Sequence, residues 1–228
     1  MVATLLIETS LALYTVWRYK MTSISRLIVA ALIGLATFQL AEYFVCTGYG
    51  LHAEQWSRVG FVAITTLPPL GLHILHVISN KPSRKLVNIA YASMVGFMVF
   101  FLTYPTSFIG HQCTGNYVIF QIGYRMGGFY AVYYYGWLLI AIGLGIRWAN
   151  QLRNKEKTSS RRLESIRALI IGYLVFLLPT GIANTVKPAT RQGIPSIMCG
   201  FAIIFALIIA LYILPRMGTS RAKAAKQG

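Results

Sequence analysis

Gln39, Glu42 and Cys46 stand at i, i+3 and i+7, so a helix carries all three on one face. Glu42 sits in an otherwise apolar run, and so does Glu8. A carboxylate in hydrocarbon costs about 2.5–3.5 kcal/mol on insertion scales, so both acids are expected to face protein or water and to serve function. A second group lies in "TTLPPLGLHILHVIS", where Pro68 and Pro69 precede His73 and His76. Two histidines three apart supply half of a zinc site, but zinc takes three or four ligands and the chain contains no aspartate. No metal is assigned to them. They read as histidines hydrogen-bonded within a helix bundle, with a proton-linked role as the alternative.

The elements that position these residues follow from composition. Hydrophobic residues make up 56% of the 228 positions and charged residues only 11%. Mean hydropathy is +0.61. A soluble protein of this make-up could not cover its surface with polar groups. Seven apolar runs, at about 2–17, 27–46, 59–79, 86–105, 128–148, 168–186 and 195–215, approach the ~20 residues that cross a bilayer as a helix. The expectation is an all-α polytopic membrane protein with seven transmembrane helices over residues 1–216. A basic cytoplasmic tail, 217–228, is expected to be disordered.

The net charge of +16 supports this organisation and argues against nucleic acid as a partner. Of the 21 Lys and Arg, all but Arg58, Arg125, Lys187 and Arg191 fall on one side of the seven runs. The positive-inside rule then puts the N-terminus outside and the C-terminus in the cytoplasm, in the plasma (inner) membrane. The basic side would also attract anionic membrane lipid.

With orientation fixed, depth follows at 1.5 Å per residue. Glu8 lies ~9 Å and Glu42 ~6 Å below the outer surface, whereas His73 and His76 lie ~21 and ~25 Å down. Thr65, Thr66, Tyr130, Tyr133, Tyr134, Asn184 and Ser196 fall near the level of the two acids. Together with Gln39 they predict a polar and aromatic pocket opening outward, suited by its carboxylates and tyrosine faces to a small organic cation. The alternative for Glu42 is a structural anchor paired with Arg58 or bonded to tyrosines. Pro68 and Pro69 predict a kink whose freed carbonyls are satisfied by neighbouring helices or threonine hydroxyls.

The outer connection "TYPTSFIGHQCTGNYVIFQIGYRMG" carries Phe108, Tyr117, Ile119 and Phe120. It is read either as a lid folded over the bundle or as an interfacial anchor. Cys46, Cys113 and Cys199 all fall on the outer side, so Cys113 is expected to pair with Cys46 or with Cys199. A weaker reading joins His52, His111 and Cys113 in an outer metal site. "NQLRNKEKTSSRRLESIR" is read as helix extensions or as a basic loop.

"FQLAEYFV", "LPPLGLHI" followed by "NKPSRK", and "PSIMCGFA" resemble a bacterial family of small stand-alone seven-helix membrane proteins. That resemblance implies the fold and no activity. More distantly, "EYFV…WSRVGFVAITTLPPLGLHIL" is similar to the seven-helix sensory region at the N-terminus of some histidine kinases, which implies a receptor-like input module. The resulting expectation is a membrane sensor or ligand-binding protein that signals through a cytoplasmic or membrane partner, with no cofactor. Its rivals are an intramembrane enzyme acting on a lipid-derived substrate, weakened by the lack of a nucleophile motif, and a proton- or cation-coupled transporter.

Overall fold

The structure is a computed structural model that describes residues 1–81, 84–114, 117–153, 160–186 and 194–221, apart from the side chains of 124, 125, 183–186 and 194. Its elements are α1 (Val2–Arg18), α2 (Ser23–Thr47), α3 (Ala53–Thr65), α4 (Leu67–Ser79), α5 (Lys85–Thr103), β1 (Phe108–Cys113), β2 (Val118–Ile122), α6 (Tyr124–Arg153), α7 (Ser160–Val186) and α8 (Ile194–Leu207). A π-helical stretch, Ile208–Ile213, carries α8 into α9 (Leu214–Met217). Pro215 lies just beyond that stretch and has no N–H with which to complete the α-helical ladder to Leu211.

Six of these helical segments, α3 and α4 counting as one, are long and apolar enough to cross a membrane. The chain is thus a helical, multi-pass membrane protein by length and composition. α1 has 17 residues and spans about 25 Å, slightly less than a hydrocarbon core. α2 and the α3–α4 pair form the interior. α5 and α6 leave apolar residues such as Ile89, Val95, Phe129 and Val132 exposed. α1 packs on α2 and α8, α4 meets α5, α6 and α7, and α7 meets α8, which closes the bundle.

Local chemistry sets the ends of these elements. Thr22 caps α2 by accepting the backbone N–H of Ser25. At its other end Gly48 adopts φ +67°, a left-handed conformation that a side chain would strain. The polar connection between Asn150 and Arg167 is helical to Arg153 and again from Ser160; 154–159 lie outside the described residues. The C-terminal segment is tied down as far as Arg221: Lys20 N–H donates to Thr219 O at 2.9 Å. Arg221 Nη2 donates to Val16 O at 3.0 Å and its Nε to Tyr19 O at 3.3 Å, satisfying the last carbonyls of α1. Disorder from 217 onward is therefore corrected up to Arg221, while 222–228 lie outside the described residues.

The proline pair interrupts α3–α4 at Thr66 and occupies the first turn of α4, where a missing N–H is tolerated. Pro69 cannot donate to the carbonyl of Thr65, and Tyr133 from α6 does so instead, at 2.7 Å. Tyr133→Phe should strand that buried carbonyl and lower stability by about 1–3 kcal/mol. Tyr130→Phe should cost less, since the Tyr130 hydroxyl shares only the Thr65 hydroxyl, at 3.1 Å. Thermal unfolding in detergent checks the order; a Tyr130 variant as damaged as the Tyr133 variant would contradict it.

The connection between α5 and α6 forms an antiparallel hairpin, an element not anticipated. Its inward residues Phe108, Val118 and Phe120 are buried, whereas Ile109 and His111 point away. Period-two alternation in "VIF" explains the strand. Phe120 packs on Phe38 and Phe61, with ring centroids 5.9 and 5.2 Å apart, and Phe108 packs on Phe61 and Phe101.

Candidate functional site

The end of the bundle that carries the hairpin holds the carboxyl group of interest. Glu8 on α1 is 0% exposed and Glu42 on α2 is 1% exposed, and the two lie within electrostatic range of each other. Neither Glu8 oxygen, nor Oε1 of Glu42, has a hydrogen-bond partner among the described residues. Most buried polar groups in folded proteins are paired, so three unmatched carboxyl oxygens in one place call for a chemical explanation.

Three neutral side chains complete the group. Gln39, one turn before Glu42, is buried, and its Oε1 lies 2.9 Å from the Thr4 hydroxyl. That hydroxyl shares its proton with the Met1 carbonyl at 2.6 Å. Ser196, at the start of α8, lies beside the Glu42 carboxyl. Its oxygen accepts the backbone N–H of Val118 at 3.0 Å, so Ser196 stands between Glu42 and β2 of the hairpin. Thr4 carries no feature that singles it out in sequence; only its packing against Gln39 reveals it.

The predicted residues therefore separate into two clusters. Glu8, Gln39, Glu42 and Ser196 come together, closed over rather than open. Thr65, Tyr130 and Tyr133 form the second cluster around the kink, and Tyr130 is packed edge-on or tilted against Phe61, Phe97 and Phe101. Tyr134 packs at a tilt on Tyr130 and edge-on against Tyr135 rather than lining a wall beside the acids. Thr66 turns toward α2, close to Gly34, with its hydroxyl bonded to Ala63 O. Cys199 bridges the two clusters, within electrostatic range of Glu8 and Glu42 and also of Tyr130 and Tyr134. Asn184 belongs to α7, but its side chain lies outside the described residues.

Arg58 is not the partner of Glu42. It pairs with Glu54 at 2.7 Å and donates to the carbonyls of Phe101, Leu102, Tyr104 and Pro105. The histidines are likewise apart in their contacts. His73 Nδ1 lies 3.1 Å from the Tyr91 hydroxyl on α5. His76 is hydrogen-bonded to Leu72 O at 3.0 Å and packs edge-on against Trp148 of α6. Of the two disulfide pairings left open, Cys46–Cys113 is formed and Cys199 is free and buried. Cys113 is thereby removed as a ligand from the suggested site with His52 and His111. Among the described residues no three His, Cys, Asp or Glu side chains group to hold a metal ion.

No protein-family model matches the chain, and no curated protein matches it.

Proposed function

We propose that the chain is a seven-span protein of the plasma membrane, N-terminus outside and C-terminus cytoplasmic, that acts as a sensor or ligand-binding component and signals through a partner chain. The charge asymmetry along the sequence supports the orientation, with α1 as the seventh span. The observation that carries the functional reading is the pair of fully buried carboxyl groups, Glu8 and Glu42, with three oxygens lacking a hydrogen-bond partner among the described residues. A positively charged ligand entering from the hairpin side would satisfy them. The tyrosines are occupied by the kink and the phenylalanine cluster, so the ligand is defined by carboxyl, amide and hydroxyl oxygens and has no aromatic cage. A small ammonium ion fits this donor set. Ser196 couples the site to the hairpin, which gives ligand entry a structural consequence.

The test uses purified full-length protein in detergent, titrated with methylammonium chloride against sodium chloride at equal ionic strength. Methylammonium should raise the unfolding midpoint of the wild type, by about 2.7 kcal/mol of stabilisation at a hundredfold excess over its Kd. Glu42→Gln should remain as stable as the wild type without ligand, because no ion pair is broken, and its midpoint should not respond. An equal response in both proteins would refute the site. A midpoint that falls on mutation, with no response in either protein, would make Glu42 a structural residue.

A further inference from the structure

The charges around the carboxyl pair do not balance. Glu8 and Glu42 are buried and within electrostatic range of each other, so full ionisation would put two negative charges in one dry place. α1 packs on α2, α8 and the π-helical stretch, and α2 packs on α1, α3, α4, α8 and α9. Among the described residues, none of these elements brings a cationic side chain into range of the pair. On α3, Arg58 is held by Glu54 and by the end of α5. On α4, His73 and His76 bond the Tyr91 hydroxyl and Leu72 O. α8 faces the acids with the Ser196 hydroxyl and the Cys199 thiol, neither of which is positive. Arg216 on α9 lies beside Glu164 and over Tyr212 of the π-helical stretch. Arg18 and Arg26, on the acids' own helices, stand about 15 and 24 Å along the axis from them. His111 of the hairpin is exposed. The Met1 amino group is in range of both acids and carries at most one charge. Two carboxylates therefore exceed the positive charge that the described residues offer.

We propose that, without a cation bound, the pair keeps one proton, on Glu8, and that an entering cation displaces it, so that binding exchanges one cation for one proton. This inference rests on the ammonium site above and adds its regulation by pH. Glu8 is the holder because neither of its oxygens has a hydrogen-bond partner among the described residues, whereas only Oε1 of Glu42 lacks one and Ser196 lies beside that carboxyl. An anion without hydrogen bonds is the costlier one to bury. In the exchange the Glu8 O–H bond breaks and the proton passes to the water on the side from which the ligand enters. The charge of the buried site stays the same. The free form binds the proton and the loaded form does not, so cation binding strengthens as pH rises. Such a site reports the ratio of cation to proton, not the cation alone.

The test uses purified full-length protein in dodecyl maltoside, a detergent with no carbonyl group. Calorimetric titration with methylammonium chloride, repeated in phosphate and in HEPES, counts the protons released through the different ionisation heats of the two buffers. About one proton should leave per cation bound, and affinity should rise about tenfold per pH unit between about pH 6 and about pH 8. Without ligand, the infrared spectrum should show the C=O stretch of a protonated carboxyl group, and methylammonium should remove it. Glu8→Gln should lack that band and bind methylammonium with no proton released and no dependence on pH; the two wild-type measurements decide if this variant does not fold. Binding without proton release, an affinity that ignores pH, or no protonated carboxyl band in the wild type overturns the exchange and leaves the ammonium site standing. A Glu8→Gln protein that still releases a proton overturns the assignment to Glu8. No binding of methylammonium at any pH removes the site itself, and the exchange with it.

Discussion

Alanine at position 58 should lower the stability of the protein by about 3 kcal/mol, one of the largest effects of any surface-end substitution. Helix α5 stops at Thr103 because Tyr104 precedes Pro105 and takes an extended conformation, φ −82° and ψ 116°. Its last carbonyls then lack intrahelical partners. Arg58 supplies them from α3: Nη1 lies 2.7 Å from Phe101 O and 3.2 Å from Leu102 O, and Nη2 lies 2.9 Å from Tyr104 O and 3.1 Å from Pro105 O. With the side chain only 15% exposed, water replaces few of these bonds when it is removed. Lysine should restore only part of the loss, since one ammonium cannot reproduce a planar fork with five donors. Glu54→Ala should cost less than 1 kcal/mol, because that ion pair is largely solvated. Thermal unfolding of the three variants in detergent checks the ranking, and an Arg58→Ala protein within 0.5 kcal/mol of wild type, roughly the scale of a neutral surface change, would refute it. The same substitution should loosen the hairpin, which begins only a few residues beyond the carbonyls that Arg58 holds.

The presence of the helices was readable from the sequence, whereas the direction around each helix and the level at which side chains meet were not. Apolar run lengths located the helices, because the thickness of hydrocarbon imposes a minimum length whatever they pack against, but α3 and α7 begin six and eight residues before their runs, where polar turns extend them beyond the apolar stretch. The same argument brought Glu8 and Glu42 to one level, and the proline pair announced its own interruption through the missing N–H groups. Tyr133 shows where that reasoning stops. It was expected at the level of Glu42 but bonds Thr65 at the kink, which packs beside Gly34, about two turns along α2 from Glu42. Thr4 and Ser196 illustrate the same limit, since their roles depend on which helix end and which strand lie opposite. Arg58 was legible as a charge near a helix end, but its true partners are carbonyls more than forty residues away in sequence. The hairpin had a short alternating signal in "VIF", masked by the glycines and polar residues around it.

Serine at Cys46 or Cys113 should produce the other large effect. The bridge closes a loop of 67 residues, for which chain entropy gives a stabilisation of about 4 kcal/mol, an upper figure here because helices held in detergent already restrict the unfolded chain. The two single variants should fall by the same amount and the double variant no further, since all three lose one bond. Cys199→Ser should leave this contribution intact. The functional consequence travels along a short physical route. Without the bridge, β1 is released from the end of α2 one turn beyond Glu42, and β2 loses its constraint on the Val118 N–H that Ser196 accepts at 3.0 Å. Ser196 is then free of the hairpin while still beside Glu42, and the carboxyl pair should become more accessible to water. Hydrogen exchange at Val118 and the methylammonium response are the measurements. Exchange at Val118 should rise in both cysteine variants, and the ammonium-dependent shift of the midpoint should weaken. A reduced protein whose Val118 stays protected and whose ammonium response is unchanged would show that the phenylalanine contacts of the hairpin alone hold it over the site.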